Sequence, residues 1–296
     1  MNKSIQPHIE NLLSKVSYDS VSVGVVDFNT GKIDEINIVK LEDGSFRTIH
    51  GLYYDLASLT KVFTMGIAHL ESDLDEKFYL LSEHRSSIPA WAILSRKTWE
   101  EDLLKFPMKP SETLYSDLGT IRFQLEFEKE YKKTLYESVK KNWSQELCYW
   151  LDFDYRENLY AKIGDVFHVH DPNAFNLGCF CAHAGLFGTV NGVGSSLLKL
   201  NKKFNLIKKI QSSIESLKDP DQRFVMAWDR KQNDNSFAGK KASENTFGHI
   251  GFTGTSLWID PERAKGQIIL SNAVKNHWYE KEELNQFRRE IADILW

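Results

Sequence analysis

Strand-like segments lie at both ends of this 296-residue chain, and a long helical middle separates them. Val21-Ser22-Val23-Gly24-Val25-Val26-Asp27-Phe28 has the short, β-branched pattern of a strand. Asn29-Thr30-Gly31-Lys32 is a turn whose glycine can take a positive φ, and 32–39 and 45–50 are predicted as two further strands. Strands return at 247–252, 255–260 and 266–272, and Phe224 to Trp228 is predicted as another. From 62 to about 220 the periodicity is mostly helical, broken by Ser86-Ser87-Ile88-Pro89, Phe106-Pro107 and the glycines between Gly178 and Gly194. Residues 4–16 and 280–296 are predicted as amphipathic helices, the second with Leu284, Phe287, Ile291 and Leu295 on one face. The expectation is an α+β fold. One antiparallel sheet with flanking helices is built from both termini, 1–57 and 246–296, and 58–245 form a mainly helical lobe with the active site between the two.

Composition narrows the partners. The net charge is −4 and the pI about 6.2, so the chain has no electrostatic footprint for nucleic acid. Lys208-Lys209 and Lys240-Lys241 are short basic pairs of solvated surface. No run of eighteen apolar residues is present to span a membrane, and the first ten residues hold no apolar core of signal-peptide length. Three cysteines, Cys148, Cys179 and Cys181, an odd count, point to reduced thiols. Together these predict a cytoplasmic protein, or a periplasmic one if a leader has been removed. Oligomeric state is not encoded visibly.

The chemistry is concentrated in a few places. Tyr54-Asp55-Leu56-Ala57-Ser58-Leu59-Thr60-Lys61 sets a hydroxyl and an amine three residues apart, ahead of the apolar run Val62 to Ala68. On a helix these lie on one face, about 5–6 Å apart at Cβ. A serine is a poor nucleophile until a neighbouring base takes its proton. The same spacing recurs at Ser138…Lys141 and Ser196…Lys199, without matching company. Only Ser58 is followed in order by Tyr115-Ser116-Asp117 and by the glycine-rich Gly248-His249-Ile250-Gly251-Phe252-Thr253-Gly254.

In these motifs and in their order the chain resembles the serine β-lactamase-like family of class C β-lactamases, low-molecular-weight penicillin-binding proteins and related esterases. Ser58-Leu59-Thr60-Lys61 resembles its nucleophile motif and Tyr115-Ser116-Asp117 its Tyr-x-Asn or Tyr-Ser-Asp motif. His249-Ile250-Gly251 is similar to its Lys-Thr-Gly or His-Thr-Gly. His170-Asp171-Pro172 and His183-Ala184-Gly185 are similar to stretches of its esterase-like and carboxypeptidase-like branch. The resemblance covers about 20–120 and 165–275, and is poor over 121–164 and 200–240.

The resemblance implies a β-lactamase/transpeptidase-like fold and an acyl-enzyme on Ser58. Lys61, with a pKa lowered by burial and a nearby cation, and Tyr115 take the serine proton. Asp117 holds Lys61 or orients a substrate amide. The N–H groups of Ser58 and Phe252 form the oxyanion hole, and His249, Ile250 and Gly251 line the substrate, with Gly251 admitting a carbonyl to the backbone. Ile250 departs from the family's hydroxyl residue, which tilts the expectation from a carboxylate-bearing substrate towards a neutral ester or amide; the partner expected is a small-molecule ester, amide or peptide substrate. No cofactor is expected. A rival zinc reading of His168, His170, Asp171, Cys179, Cys181 and His183 is disfavoured by the tight Cys-x-Cys spacing. The function expected is a serine hydrolase. The alternatives are a penicillin-binding DD-peptidase acting on peptidoglycan peptides and a non-catalytic binding protein on the same fold.

Overall fold

The computed structural model describes residues 5–165, 167–276 and 281–296. The first residues of both predicted terminal helices, Ser4 and Glu280, lie outside the described residues. The strands are β1 (Ser20–Asp27), β2 (Lys32–Lys40), β3 (Phe46–Thr48), β4 (Tyr54–Asp55), β5 (Leu147–Tyr149), β6 (Leu186–Gly188), β7 (Phe224–Val225), β8 (Trp228–Arg230), β9 (Phe247–Ile250), β10 (Ser256–Asp260) and β11 (Lys265–Ser271). The helices are α1 (Gln6–Leu13), α2 (Thr60–Glu71), α3 (Glu76–Ser82), α4 (Trp99–Lys105), α5 (Asp117–Tyr131), α6 (Leu135–Lys140), α7 (Pro172–Leu177), α8 (Val190–Phe204), α9 (Leu206–Glu215) and α10 (Lys281–Leu295).

Eight strands form one antiparallel sheet in the order β3-β2-β1-β11-β10-β9-β8-β7. The N-terminal meander thus joins the C-terminal one where Val23 pairs with Ile269. α1 and α10 cover one face through Ile9, Leu13, Phe287 and Ile291 against Val21, Val23 and Ile269. α8 covers the other. A Cβ on Gly24 of β1 would run into the Val190 side chain, so glycine lets α8 lie close to the sheet.

Three features depart from the expected layout. The segment 224–230 is a hairpin, not one strand: Met226 and Ala227 both have positive φ, 50° and 72°, at the turn. That turn normally carries glycine or asparagine, so the sequence gives no sign of it. The hairpin extends the main sheet, which therefore draws strands from within 58–245 as well as from the two ends. A second sheet, β4-β6-β5, joins a strand just ahead of residue 58 to two strands inside the expected helical lobe; its strands of two or three residues are too short for alternation to register.

Candidate active site

Ser58 sits in a turn of 3₁₀ helix, Ala57–Leu59, that runs straight into α2. Ala57 has φ 47°, a costly conformation for a residue with a Cβ, and the Asp55 carboxylate fixes it by accepting from the Ala57 N–H at 2.8 Å. The second Asp55 oxygen accepts from the His170 N–H at 2.8 Å. Burial pushes this carboxyl up to about 6, with those two N–H groups acting against it. The turn is also tied to the sheet: the Thr253 hydroxyl donates to Asp55 O at 2.7 Å and that of Thr255 to Leu56 O at 2.9 Å. A Cβ on Gly251 would meet Leu56 O at 2.6 Å. This glycine therefore lets the end of β9 lie against the Ser58 turn, and it also lines the cleft described below.

Lys61 is 0% exposed, yet its ammonium is fully engaged. Nζ donates to Ser58 Oγ at 2.9 Å, to Asp117 Oδ1 at 2.7 Å and to His183 O at 3.2 Å. Burial alone would lower its pKa, but the Asp117 carboxylate and the Tyr115 phenol more than offset this and raise it above the ordinary lysine value. The expected depression is thus reversed, because the closest charge is an anion and not a cation. Asp117 owes its place to Ser116, which caps α5 by accepting from the Gly119 N–H at 2.7 Å.

Tyr115 lies with its ring centroid 4.9 Å from Lys61 Nζ. The residue is 36% exposed at the cleft, but its phenol is desolvated and its pKa is raised, with Lys61 pulling the other way. His249 is neutral: burial, then Lys61, pushes it down to about 3. Its Nδ1–H donates to Ile250 O at 2.7 Å, so Nε2 carries a lone pair where a lysine would carry a charge.

These groups open on a cleft of about 750 Å³ lined by Ser58, Tyr115, Asp117, His249, Ile250, Gly251 and Phe252. All the residues expected in the site therefore meet in one place. Phe252 is 53% exposed at the rim and stacks on His170, centroids 5.5 Å apart. Arg223, in the same wall, forks onto the buried Asp229 through Nε at 2.8 Å and Nη2 at 2.6 Å. Sequence reasoning missed the supporting roles of Asp55, Thr253 and Thr255, although they lie in or beside the quoted motifs, because their partners are distant in the chain; it missed Arg223 altogether, which no motif marks.

The residues of the zinc reading are dispersed over other tasks. His183 Nε2 bonds Asp171 Oδ1 at 2.8 Å, and Asp171 also caps α7 by accepting from the Ala174 N–H at 2.8 Å. Burial would raise the Asp171 carboxyl, but His183 and that N–H hold it well below the usual range. His168 stacks on Phe175 at 3.9 Å. Cys148, Cys179 and Cys181 are free thiols. Among the described residues, no three such side chains converge as a metal shell, and no helix is long and apolar enough to cross a membrane.

No family model matches the chain. Over 113 residues it is 34% identical to an N-acetylmuramyl-L-alanine amidase of Bacillus subtilis, a match that covers 35% of this chain and 26% of that protein. The chain thus spans about a quarter of the length of that relative. Among solved structures, a β-lactamase from Mycobacterium bovis superposes with a TM-score of 0.61 at 13% identity, over 97% of both chains. A class C β-lactamase superposes with a TM-score of 0.65 at 15% identity, again over 97% of both. The fold is that of the serine β-lactamase-like proteins, an α+β architecture, as the resemblance implied.

Proposed function

We propose that the chain is a serine hydrolase that cleaves an ester or amide through an acyl-enzyme on Ser58. One observation carries the reading: Ser58 Oγ accepts a bond from the buried Lys61 ammonium at 2.9 Å on the wall of an open cleft. The β-lactamase fold and the local match to an amidase support the same class.

In this reading Ser58 Oγ attacks the substrate carbonyl carbon. Its proton passes to Tyr115 Oη as Tyr115 gives its own proton to the departing oxygen or nitrogen. Such a relay needs no free base, which suits a phenol and an amine that both hold their protons. Lys61 stays an ammonium, orients Ser58 and balances the charge that develops on it. This revises the expected role of Lys61 as a base. The oxyanion rests on the N–H groups of Ser58 and Phe252, donors worth about 3–4 kcal/mol each. In deacylation water attacks the ester carbon, its proton goes to Tyr115, and the tyrosine proton returns to Ser58 Oγ as the acyl bond breaks.

The substrate favoured is a neutral ester, amide or peptide. Ile250 and Phe252 set apolar surface on the wall where a hydroxyl would serve a carboxylate. A charged group left unpaired there costs about 1–3 kcal/mol of binding or more. The test compares p-nitrophenyl butyrate hydrolysis with acylation by a penicillin, in the wild type and in Ile250→Thr. The wild type should turn over the ester and react poorly with penicillin, and Ile250→Thr should gain more on penicillin. Efficient penicillin hydrolysis by the wild type would contradict this substrate class. One observation favours a second reading, a carboxypeptidase: Arg223, fixed by Asp229, presents a cation to the cleft. Loss of peptide but not ester hydrolysis in Arg223→Ala would support that reading, and equal losses would remove it.

A further inference from the structure

We infer that His84 is the positioning residue for Tyr115, and that it works by gripping the chain on both sides of that tyrosine; the catalytic consequence rests on the relay role given to Tyr115 above. Tyr115 needs such a grip. It lies in the irregular segment 106–116 between α4 and α5, where no helix or strand fixes its backbone.

His84 touches three consecutive residues of that segment. Its carbonyl oxygen accepts from the Leu114 N–H at 2.8 Å. Its Nδ1 accepts from the Ser116 N–H at 3.2 Å. Its ring lies against that of Tyr115, centroids 4.5 Å apart at 45°. Behind it, Phe224 of β7 packs edge-on at 4.7 Å and itself lies 5.8 Å from the Tyr115 ring. The imidazole is thus a wedge between the sheet hairpin and the tyrosine loop.

Histidine suits the place on two counts. The residue follows the end of α3 with φ 58°, a conformation that histidine, asparagine and aspartate adopt more readily than other residues with a Cβ. A ring nitrogen can accept only while the imidazole is neutral. Burial, then the Lys61 charge, holds its pKa well below the ordinary histidine value. Neighbouring bonds extend the grip: the Lys109 N–H donates to Ser86 O at 3.3 Å, the Ser111 N–H to Arg85 O at 3.0 Å and the Asp117 N–H to Ala90 O at 2.9 Å. Of these anchors only His84 brackets Tyr115 itself.

The experiment compares His84→Asn with His84→Leu. Asparagine tolerates the positive φ and keeps an acceptor near the place of Nδ1, whereas leucine fills space and cannot accept. With p-nitrophenyl butyrate, and with active molecules counted by fluorophosphonate titration, the leucine variant should lose about 10²-fold in kcat with KM unchanged. The asparagine variant should recover most of that loss. A role in folding alone would lower the active fraction and leave kcat per active molecule intact. Equal kcat losses in both variants, or wild-type kcat in both, would overturn the inference. The wild type also tests the grip without any variant, should the leucine chain not fold. Nitrogen-15 spectra of the imidazoles should show His84 with a bare Nδ1 and a protonated Nε2 from pH 5.5 to 9. The opposite tautomer would contradict the grip. Wild-type rates in Tyr115→Phe would instead overturn the relay role, and with it the catalytic consequence, while the spectrum still judges the grip itself.

Discussion

Ser58–Lys61 and Ser196–Lys199 share a spacing and differ in everything around it. Ser58 is half-buried at a cleft, and its lysine is anchored by an aspartate 56 positions away. Ser196 is fully buried within α8, where its hydroxyl donates to Gly192 O at 2.8 Å and accepts from the Ser144 N–H at 2.9 Å. Lys199 donates to the carbonyls of Lys141 and Trp143 at 2.7 and 3.3 Å. The third copy is similar: Ser138 donates to Thr134 O at 2.9 Å and Lys141 pairs with Glu71 at 3.2 Å. Spacing places two groups on one face of a helix. Reactivity further requires a hydroxyl that is not committed to backbone and a lysine fixed beside it by a counter-charge.

The largest effect that this contrast predicts is the loss of all ester hydrolysis in Ser58→Ala, with a melting temperature near wild type. Ser196→Ala should keep the rate per folded molecule and lose about 1–3 kcal/mol of stability, because it leaves the Ser144 N–H unpaired. The two variants are compared by turnover and by thermal melting, and an inactive, well-folded Ser196→Ala would erase the distinction.

Tyr115→Phe comes next. Removing one proton relay should cost about 10²–10⁴-fold in kcat, and a loss of less than tenfold would place the proton path elsewhere.

Asp117→Asn should have a smaller effect that bears on Lys61 directly. Without the carboxylate, burial dominates and the lysine pKa falls. If Lys61 acts as an ammonium, the rate at neutral pH falls and the alkaline limb of the pH–rate profile moves to lower pH. A higher rate at pH 7 would instead restore Lys61 as the base.

The smallest effect lies at Glu83, next to His84, where burial outweighs a counter-charge in setting the ionisation. Burial pushes the Glu83 carboxyl from its ordinary 4.5 up to about 7, with Arg85 and the Met226 N–H acting against it. A carboxyl whose folded pKa is raised binds more protons folded than unfolded. The stability it contributes is complete below about 4.5 and is lost as pH rises through about 7. The wild type should therefore lose melting temperature between pH 5 and 8, by an amount worth about 1–3 kcal/mol, and Glu83→Gln should lose less. Parallel profiles would show that Glu83 carries no such strain.

Much of the fold is legible in the sequence wherever an element is long enough for its period to register. β1, β2, β10, β11 and α10 fall within a few residues of their predicted bounds. The hairpin at Met226-Ala227 and the small sheet β4-β6-β5 are not legible, since their strands are two or three residues long and the turn carries neither glycine nor asparagine. Ser58, Lys61, Tyr115, Asp117 and His249 can be picked out because they lie in local motifs. Their supports cannot. Thr253 and Thr255 reach the Ser58 turn across 198 and 199 positions, and His84 reaches Ser116 across 32. The charge on Lys61 is not legible for the same reason, since the direction of its pKa shift depends on its closeness to Asp117, 56 positions away.

The central claim is that Ser58, of the three serines with a lysine three residues on, is the nucleophile. Intact-mass spectrometry after treatment with a fluorophosphonate, followed by peptide mapping, tests it most directly. The account predicts one adduct per chain, carried by the peptide that contains Ser58 and absent from Ser58→Ala. An adduct mapped to Ser138 or Ser196, or a folded wild type that takes no adduct, would contradict it.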